Sequence, residues 1–218
     1  MVEINLMAKF PSASRNLEKR GIEKTEEDRI IARQFGKDFF DGDRKYGYGG
    51  YNYHPRFWTG VVKDMIDYYN LTDKSKILDV GCGKGFTLYD FTRILPGVRV
   101  RGIDISSYAI ENGKEEVKQF LSVGNAKDLS LFSDKEFDLV LSLITLHNLQ
   151  LEDCKKAINE IERVGKKTFI TVDAWRNEIE KKRMNAWNLT ARTILSTEDW
   201  ECLFKEAGYT GDYYWNIV

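Results

Sequence analysis

The sequence lacks an excess of charge of either sign. It has 33 lysines and arginines against 34 aspartates and glutamates, a formal net charge of −1. Because binding to a nucleic-acid backbone usually needs a basic field, this balance argues against a nucleic-acid substrate. No segment approaches the ~18 apolar residues of a membrane span, and residues 1–10 lack the pattern of a signal peptide. We expect a cytoplasmic protein without membrane contact.

Cysteine and histidine are also scarce. The three cysteines, Cys82, Cys154 and Cys202, are irregularly spaced, and there are two histidines. This excludes a disulfide framework and the paired cysteines of a structural zinc site, so we predict a reduced protein with no metal. The length of 218 residues, 42% hydrophobic, is enough for one domain of ordinary size.

Glycine, in contrast, is concentrated where an apolar run ends. Residues 76–86 read Lys-Ile-Leu-Asp-Val-Gly-Cys-Gly-Lys-Gly-Phe and lead into a helical pattern. This order predicts a buried parallel strand, a glycine loop (residues 81–85) and a helix whose free N–H groups face the loop. Glycine permits positive φ and lets a ligand approach the backbone. We predict a ligand site here; the alternative is a tight turn with no ligand.

The spacing excludes two common nucleotide loops. A dinucleotide fingerprint needs a glycine where this sequence has Phe86, and a phosphate loop needs Ser or Thr where it has Gly85. The remaining pattern closely resembles the first motif of the class I S-adenosylmethionine-dependent methyltransferases. The resemblance implies an α/β fold, a Rossmann-like, doubly wound and mostly parallel sheet, over residues 55–218. Residues 1–54 would form an amino-terminal helical arm and a lid rich in tyrosine and glycine.

Three later motifs support the resemblance, because each follows a predicted strand. Asp104 ends a strand roughly 25 residues after Asp79, near the distance at which a strand-end acid binds ribose; its alternative role is a helix cap. A single helix is predicted over residues 108–121. Asn125 stands where the family commonly has an adenine-binding Asp. In residues 137–149, which match the fourth motif, the family places backbone near the cofactor ammonium and His147 near the transferred methyl group.

The resemblance thus implies S-adenosyl-L-methionine as the cofactor. The residues expected to bind it lie after successive strands and in the lid: Asp79, Gly81, Cys82, Gly83, Gly85, Phe86, Asp104, Ile105, Asn125, Ala126, Ser142, Leu143, Arg44 and Tyr46.

Residues 39–58, here called the aromatic loop, alternate tyrosine with glycine. Glycine disfavours regular structure while tyrosine offers apolar area and a hydroxyl, so we predict a loop that folds over an amphipathic ligand. The alternative is a surface loop packed against its own domain. Arg56 is a further candidate contact for cofactor or substrate. His54 and Pro55 are expected to begin a helix over residues 55–69.

The segment before the aromatic loop predicts a helical arm. Thr25 with Asp28 resembles a capping box, so a helix should run from there to about Gly36, and Ser12 or Ser14 should cap a shorter one. The arm would lie on the main domain or on a second copy of the chain in a homodimer. The alternative is a solvated extension.

The last third of the sequence predicts the other wall of the site. A strand over residues 167–172 should place Asp173, Trp175 and Arg176 at the carboxyl edge of the sheet, where such folds bind ligands. A helical insertion follows at about 176–196. A helix capped by Ser196 or Thr197 and one clear terminal strand over residues 209–218 complete the chain.

The function implied is transfer of a methyl group to an oxygen or nitrogen of a small polar metabolite, with a sugar-derived group as one candidate. We expect catalytic roles for His147, Tyr51 and Asp173, and substrate contacts from Tyr48, Tyr53, Trp175 and Arg176. His147 would take a proton or, equally, only line the pocket or bond the backbone. The alternatives are a protein or RNA methyltransferase, a non-catalytic cofactor-binding subunit, and a nicotinamide-dependent oxidoreductase, which Phe86 disfavours. An Asn/Asp-Pro-Pro-aromatic motif, typical of base methylation, is absent.

Overall fold

A computed structural model describes residues 1–11 and 24–218 of the protein. The helix caps predicted at Ser12 and Ser14 lie outside the described residues. Within the two described ranges, no helix is long and apolar enough to cross a membrane.

The described strands form one eight-stranded sheet in which every pair is parallel. The order is β1-β8-β6-β5-β2-β3-β4, with β7 beside the end of β6. The strands are β1 (Val2–Glu3), β2 (Lys76–Val80), β3 (Arg99–Asp104), β4 (Leu121–Val123), β5 (Leu139–Leu143), β6 (Thr168–Trp175), β7 (Leu195–Ser196) and β8 (Asp212–Asn216). This confirms the predicted fold class, and it brings the carboxyl ends of all strands to the same edge.

Helices connect these strands and cover both faces of the sheet. They are α1 (Glu26–Ala32), α2 (Lys37–Asp41), α3 (Pro55–Tyr69), α4 (Phe86–Ile94), α5 (Ser107–Glu111), α6 (Glu115–Lys118), α7 (Leu151–Val164), α8 (Glu178–Trp187) and α9 (Thr197–Glu206), with a 3-10 turn at Leu146–Asn148. The predicted caps of α1, α3 and α9 are confirmed, because Thr25, His54 and Ser196 each accept an N–H of the first turn.

The core has two layers, one on each face of the sheet. Leu78 and Val80 of β2 pack toward the side of α7 and α9, whereas Ile77 packs toward α3 and α4. This alternation follows from the two-residue period of a strand, and it buries β2 on both faces. The glycine loop therefore starts from a rigid, fully buried strand.

The order of the strands creates a crevice at the carboxyl end of β2. The chain moves outward from β2 to β3 and β4, then returns to β5 on the other side of β2. Ligands of open parallel sheets bind at such reversals. The pairing of Asp79 with Leu141 brings the glycine loop next to the segment that follows β5.

Two predicted elements are wrong in extent. β6 continues to Trp175 instead of ending at Val172, because β7 from the insertion pairs with Ala174 and Trp175. The single helix over residues 108–121 is two short helices, α5 and α6. Between them, the Lys114 N–H leaves the helical pattern and donates to the Lys84 carbonyl at 2.8 Å. Both differences arise from contacts with distant parts of the chain.

The terminal strand is confirmed as β8, and a strand that was not predicted lies on its outer side. Val2 and Glu3 pair with Asp212 and Tyr213, so β1 occupies the edge of the sheet. A strand of two residues carries no periodic pattern, so it could not be predicted from hydrophobic periodicity.

The described part of the arm lies on its own chain. The Lys24 ammonium donates to the Trp187 carbonyl at 2.9 Å, and the Arg29 guanidinium donates to the carbonyl of Asn188 in the insertion. Helix α1 ends at Ala32, before the expected end near Gly36, and α2 follows. The arm thus runs along the carboxyl edge of the sheet. A second copy of the chain in a homodimer stays a prediction.

Candidate active site

The glycine loop adopts a backbone that only glycine tolerates well. Gly81, Gly83 and Gly85 have φ values of 86°, 53° and 75°. A Cβ atom at Gly81 would lie 2.1 Å from the Thr145 hydroxyl oxygen. The loop therefore contacts the segment after β5 directly, and the two sides of the crevice fit together without space for a side chain at position 81.

Asp79 is a buried carboxylate with an unsatisfied oxygen. Its side chain is 2% exposed, and Oδ1 has no hydrogen-bond partner. Burial, and then the nearby Asp104 charge, raises the pKa of Asp79 to about 7. A buried carboxylate without a partner is costly, and a positively charged ligand group would relieve that cost.

Asp104 fixes the glycine loop to the end of β3. Its two oxygens accept the N–H groups of Gly83 at 2.7 Å and Ser106 at 2.8 Å. Burial raises the pKa of Asp104, although these two hydrogen bonds oppose the shift. Ser106 itself caps α5 through the Ala109 N–H, so capping is not the role of Asp104. Each carboxylate oxygen has a second lone pair, which leaves capacity for ligand hydroxyls.

Cys82 fits as a small buried residue of the turn. It is 6% exposed, and burial raises its pKa well above the ordinary value of a thiol. This environment keeps the thiol protonated and unreactive.

The loops after β3 and β4 form an apolar and amide-lined surface. Ile105 is 56% exposed directly after Asp104, while Asn125 and Ala126 are half-buried. The Gly124 N–H donates to the Asp104 carbonyl at 2.9 Å, which joins the two loops. The Asn125 side-chain oxygen accepts only the Lys127 N–H among the described contacts, at 3.2 Å. An aromatic base with an exocyclic amine would match this combination.

The segment after β5 is held in a strained conformation. Ile144 has φ 55°, which is rare for a β-branched residue and costs ~1–3 kcal/mol. Its N–H donates to both the carbonyl and the hydroxyl of Thr171, at 2.9 and 3.0 Å. Ser142 is buried and donates to the Val80 carbonyl at 3.1 Å. The half-buried Leu143 accepts the Thr145 hydroxyl with its carbonyl oxygen. No pattern in the sequence predicted a structural role for Ile144 or Thr145.

Tyr51 is the residue of the aromatic loop that reaches the glycine loop. Its ring stacks on Phe86 with centroids 4.9 Å apart and on Tyr48 at 4.3 Å. Its Cε1 atom lies 3.4 Å from the position of a Cβ at Gly83. Burial, and then Tyr48, Asp79 and Asp104, raise the pKa of Tyr51 well above its ordinary value. Its hydroxyl is therefore a protonated donor beside the two carboxylates.

An ion pair joins the aromatic loop to the glycine loop. The Lys84 ammonium, in a residue only 6% exposed, donates to both oxygens of Asp41 at 2.9 and 2.7 Å. Sequence reasoning missed both residues. The available signal was the lysine between two glycines of a buried loop, because a buried ammonium needs a nearby acid.

Two other lid residues, Arg44 and Tyr46, make contacts within their own loop. Arg44 is exposed and donates to the Tyr48 carbonyl at 2.9 Å, so it binds its own loop. Tyr46 lies under the Lys45 ammonium, 4.6 Å from the ring centroid. The cofactor contacts of Arg44 and Tyr46 stay predictions.

Tyr53 and Arg56 also make contacts inside the protein. The Tyr53 hydroxyl donates to the fully buried Asp90 at 2.8 Å. The Arg56 guanidinium lies 4.7 Å from the Phe57 ring centroid. The Tyr53 contact joins the aromatic loop to α4, whereas the Arg56 contact lies within α3; the ligand roles of both residues stay predictions.

His147 is buried beside Asp173. Its side chain is 2% exposed, and Nδ1 accepts the Asp173 backbone N–H at 3.1 Å. Nε2 lies 3.5 Å from the Asp173 Oδ2 atom. Burial lowers the pKa of His147, although the Asp173 charge opposes the shift. The neutral ring thus carries its proton on Nε2 and bonds the backbone, as one of the two predicted alternatives describes; a catalytic role stays a prediction.

Asp173, near the end of β6, is held inside the protein by contacts with β8, α9 and the insertion. It is fully buried, and its carboxylate accepts the side-chain amides of Asn216, at 2.6 Å, and Asn188. Its carbonyl accepts the Trp200 indole N–H at 3.0 Å. These contacts join β6, β8 and the insertion. A catalytic role for Asp173 stays a prediction.

Trp175 and Arg176 end β6 with different surroundings. Trp175 is half-buried, the Lys181 ammonium lies 4.5 Å from its ring centroid, and its indole N–H has no partner. Arg176 is exposed and pairs with Glu180 at 2.8 Å. The indole N–H of Trp175 is thus without a partner, whereas the Arg176 cation is already paired, and the substrate contacts of both residues stay predictions.

Comparison with known proteins identifies the family. A model described as a methyltransferase domain matches residues 71–208. That range contains the glycine loop, Asp104, Asn125 and the segment after β5. The chain belongs to the class I S-adenosylmethionine-dependent methyltransferases.

The methyltransferase has relatives of known and unknown activity. A protein of Haemophilus influenzae described as uncharacterized is 28% identical over 158 residues, which cover 66% of this chain and 62% of that protein. A demethylmenaquinone methyltransferase of Symbiobacterium thermophilum is 36% identical over 127 residues, or 54% of this chain and 49% of that protein. The methyltransferase thus spans about half to three-fifths of the length of these curated relatives.

Among solved structures, the crystal structure of the MccD protein matches with a TM-score of 0.54 and 27% identity. The match covers 66% of this chain and 68% of that one. It agrees with the fold described above.

The residues of this methyltransferase fit S-adenosylmethionine, its cofactor. The unsatisfied Asp79 oxygen suits the methionyl ammonium, and Asp104 has lone pairs left for the ribose hydroxyls. At Gly83 the absence of a side chain leaves the backbone directly under the Tyr51 ring, whose Cε1 atom lies 3.4 Å from the position of a Cβ.

Proposed function

We propose that the methyltransferase transfers the methyl group to an oxygen or nitrogen of a small polar metabolite, with a sugar-derived group as one candidate. One observation carries this proposal. Buried polar atoms without a partner follow β5 and β6, namely Asn148 Oδ1 and the Trp175 indole nitrogen. Both belong to the carboxyl edge of the sheet, beyond the cofactor residues. They would pair with donors and acceptors of a polar acceptor molecule.

In this proposal, each part of the cofactor is bound by a side chain of matching chemistry. Asp79 binds the ammonium, Asp104 the ribose, and Asn125 the adenine amine, with Ile105 against the base. When bound, S-adenosylmethionine supplies a methyl group on a sulfonium that is already activated for displacement. The work of the protein is then to position the two reactants and exclude water.

The proposed catalytic residues have distinct tasks. Tyr51 covers the glycine loop, and its raised pKa makes it a hydrogen-bond donor instead of a base. His147 has a lowered pKa, so it is neutral at physiological pH and has the protonation state of a base. Its Nδ1 is engaged by the backbone of Asp173. Proton removal by His147 would therefore require that this bond breaks, with Asp173 stabilising the resulting charge.

The proposed substrate contacts divide in the same way. Trp175 has an indole N–H without a hydrogen-bond partner, and Tyr48 has an exposed ring whose centroid lies 4.3 Å from that of Tyr51. Both are candidate contacts for the acceptor. Tyr53 and Arg176 must leave Asp90 and Glu180 to bind a substrate. We therefore rank Trp175, whose indole N–H has no hydrogen-bond partner, above Tyr53 and Arg176.

An aromatic acceptor is a second candidate. The relative from Symbiobacterium thermophilum is described as a demethylmenaquinone methyltransferase, whose name implies a quinone-type acceptor. The aromatic loop offers a cluster of four rings, Phe39, Phe40, Tyr48 and Tyr51. The centroids of the rings in contact lie 4.3–5.9 Å apart. Such rings stack well on an aromatic acceptor.

The test is S-adenosylhomocysteine formation from S-adenosylmethionine with separate pools of sugar derivatives, small amines, quinols, RNA and peptides. Saturable turnover with a sugar derivative or small amine supports the proposal, and turnover with quinols alone supports the second candidate. Turnover only with RNA or peptide contradicts both. Trp175→Phe, which removes the indole N–H but keeps an aromatic ring, should raise KM for a polar acceptor about tenfold, the value of one buried hydrogen bond.

A further inference from the structure

Lys84 is a positive charge placed inside a glycine loop that needs none for its own conformation. Its side chain is 7% exposed, and its ammonium is held by three acceptor atoms: both Asp41 oxygens and the Tyr51 carbonyl, the last at 3.0 Å. Burying an ammonium is costly unless it is paired and hydrogen-bonded. All three acceptor atoms come from the aromatic loop, more than thirty residues earlier in the chain.

Asp41 has equally specific surroundings. Besides Lys84, it accepts the Tyr51 N–H at 3.0 Å and the Tyr108 hydroxyl at 2.7 Å. Partial burial raises the pKa of Asp41, but its hydrogen bonds outweigh that effect and hold the pKa below its usual range. Asp41 is the last residue of α2, the end at which a negative charge is unfavourable for a helix. Helix formation therefore does not explain an acid at this position, whereas the pairing with Lys84 does.

The ion pair holds both polar backbone groups of one residue. Asp41 accepts the N–H of Tyr51, and Lys84 donates to the carbonyl of Tyr51. The Tyr51 ring is then fixed over Gly83 and Phe86, with its hydroxyl oxygen 3.8 Å from the position of a Cβ at Gly83. Gly83 in turn donates its N–H to Asp104, the carboxylate assigned to the ribose of the cofactor.

We infer that Asp41 and Lys84 are positioning residues that hold Tyr51 over the cofactor crevice, so that bound cofactor leaves only when this ion pair opens. The inference rests on the cofactor site described above and is independent of the acceptor molecule. Lys84 belongs to the glycine loop and Asp41 to the aromatic loop, so the ion pair couples the position of the aromatic loop to the conformation of the glycine loop.

The rest of the arm has anchors of its own. The Ser106 hydroxyl donates to the Phe35 carbonyl, and Lys24 and Arg29 bind the insertion. Loss of the ion pair should therefore release the aromatic loop locally while the protein remains folded. This makes the inference testable in the full-length chain.

The primary experiment measures the dissociation rate of S-adenosylhomocysteine from the wild-type protein, Asp41→Asn and Lys84→Met by stopped-flow displacement. Both substitutions are close in size to the original residue. We expect each to raise the dissociation rate about tenfold, which corresponds to ~1.4 kcal/mol. The double variant should be no faster than the faster single variant, because either change already breaks the pair.

Two further variants separate positioning from general stability. Tyr51→Ala should accelerate dissociation as Asp41→Asn does, and the two changes together should not add. Lys84→Arg should restore a slow rate, since it keeps the charge. Glu26→Gln is the matched control, because Glu26 forms an ion pair with Arg33 in the same arm at 2.8 Å. It should leave the dissociation rate unchanged.

Three results would overturn the inference. The first is a wild-type dissociation rate in both Asp41→Asn and Lys84→Met. The second is an additive double variant, which would show that the two residues act separately. The third is a fall in thermal stability that accounts for all of the lost affinity, with a normal dissociation rate in the folded fraction. Failure of the wild-type protein to bind S-adenosylhomocysteine would overturn the cofactor site and this inference together, whereas failure to find an acceptor would affect neither.

Discussion

The two halves of the crevice differ in how they present polar groups. On the proposed cofactor half, beyond β2, β3 and β4, Asp79 has an oxygen without a partner and the Asp104 oxygens have lone pairs left. On the proposed acceptor half, beyond β5 and β6, His147 and Asp173 are held by contacts inside the protein. The unsatisfied buried atoms there belong to other residues, such as Asn148 and Trp175.

This difference distinguishes residues that would bind a ligand from residues that stabilise the fold. Residues of the cofactor half carry unsatisfied groups at an energetic cost, and a ligand relieves that cost. Residues of the acceptor half that looked chemically similar in the sequence hold β6, β8 and the insertion in place. Substitutions in the two halves should therefore change different quantities, namely ligand affinity in the first and stability in the second.

The largest effect is expected at the contact between the halves. Gly81→Ala should lower the free energy of unfolding by about 2–5 kcal/mol, since the new Cβ would lie 2.1 Å from the Thr145 hydroxyl and φ is 86°. Gly208→Ala is the matched control: its φ of 68° is similarly positive, but nothing lies within 4 Å of the new Cβ. It should cost ~1–2 kcal/mol. Equal costs in urea unfolding would disprove the steric contact.

Asp173→Asn should lower the free energy of unfolding by about 2–4 kcal/mol, because an amide group would face the donating amides of Asn188 and Asn216. Asn188 cannot simply turn over, since its oxygen accepts the N–H groups of Thr190 and Ala191. Urea unfolding and turnover should be measured on the same preparation. Normal stability together with lost turnover would instead support a catalytic role for Asp173.

Asp79→Asn should weaken S-adenosylhomocysteine binding about 10- to 100-fold at pH 7.5, the loss of one charge-assisted hydrogen bond. In the free wild-type protein Asp79 has a pKa of about 7, whereas a bound ammonium favours the ionised carboxylate. Below pH 7, calorimetry should therefore show that binding releases a proton. The affinity should fall by up to tenfold for each unit that the pH is lowered. The variant should lack this dependence. Asp138→Asn, at the opposite edge of the sheet, is the control and should bind normally.

The same pKa predicts the effect of pH on the unliganded protein. The folded-state pKa of Asp79 is above its unfolded value of 3.8, so its contribution to stability is present below about pH 4 and is lost as the pH rises to about 7. Asp79→Asn should remove this slope from thermal unfolding measured between pH 4 and 7. An unchanged slope would show that Asp79 does not titrate in that range.

The smallest effect is expected at the exposed end of β6. Arg176→Gln should change the free energy of unfolding by at most ~0.5 kcal/mol, since its ion pair with Glu180 is largely solvated. It should also leave KM unchanged. Lys155→Gln, which removes a surface pair with Glu206, provides the comparison. A clear rise in KM for the acceptor in Arg176→Gln alone would place Arg176 in the substrate site.

Local chemistry explains what could be predicted from the sequence. The glycine loop, the capping box at Thr25 and the strand before Asp79 each depend on residues a few positions apart, so their patterns are legible in the chain. The parallel sheet followed from the alternation of such strands and helices. This covers the fold class and the position of the cofactor half.

The remaining features depend on pairs distant in the sequence. The three residues of β6 beyond the predicted strand pair with β8, at Asp173, and with β7, at Ala174 and Trp175, and both strands come later in the sequence. Lys84 and Asp41 are separated by 43 residues, and neither position shows the partner. The strain at Ile144 is imposed by Thr171 on the neighbouring strand, so a β-branched residue occupies a conformation that its own preference opposes.

The pairing of β1 with β8 has a consequence for the order of folding. Val2 finds its partner at Asp212, so this edge of the sheet joins segments from nearly opposite ends of the sequence. Such a contact closes a very long loop and brings a high entropic cost. On the ribosome, β1 must wait until β8 has been synthesised. We therefore expect β1 to dock last, after the strands around β2 have formed the crevice.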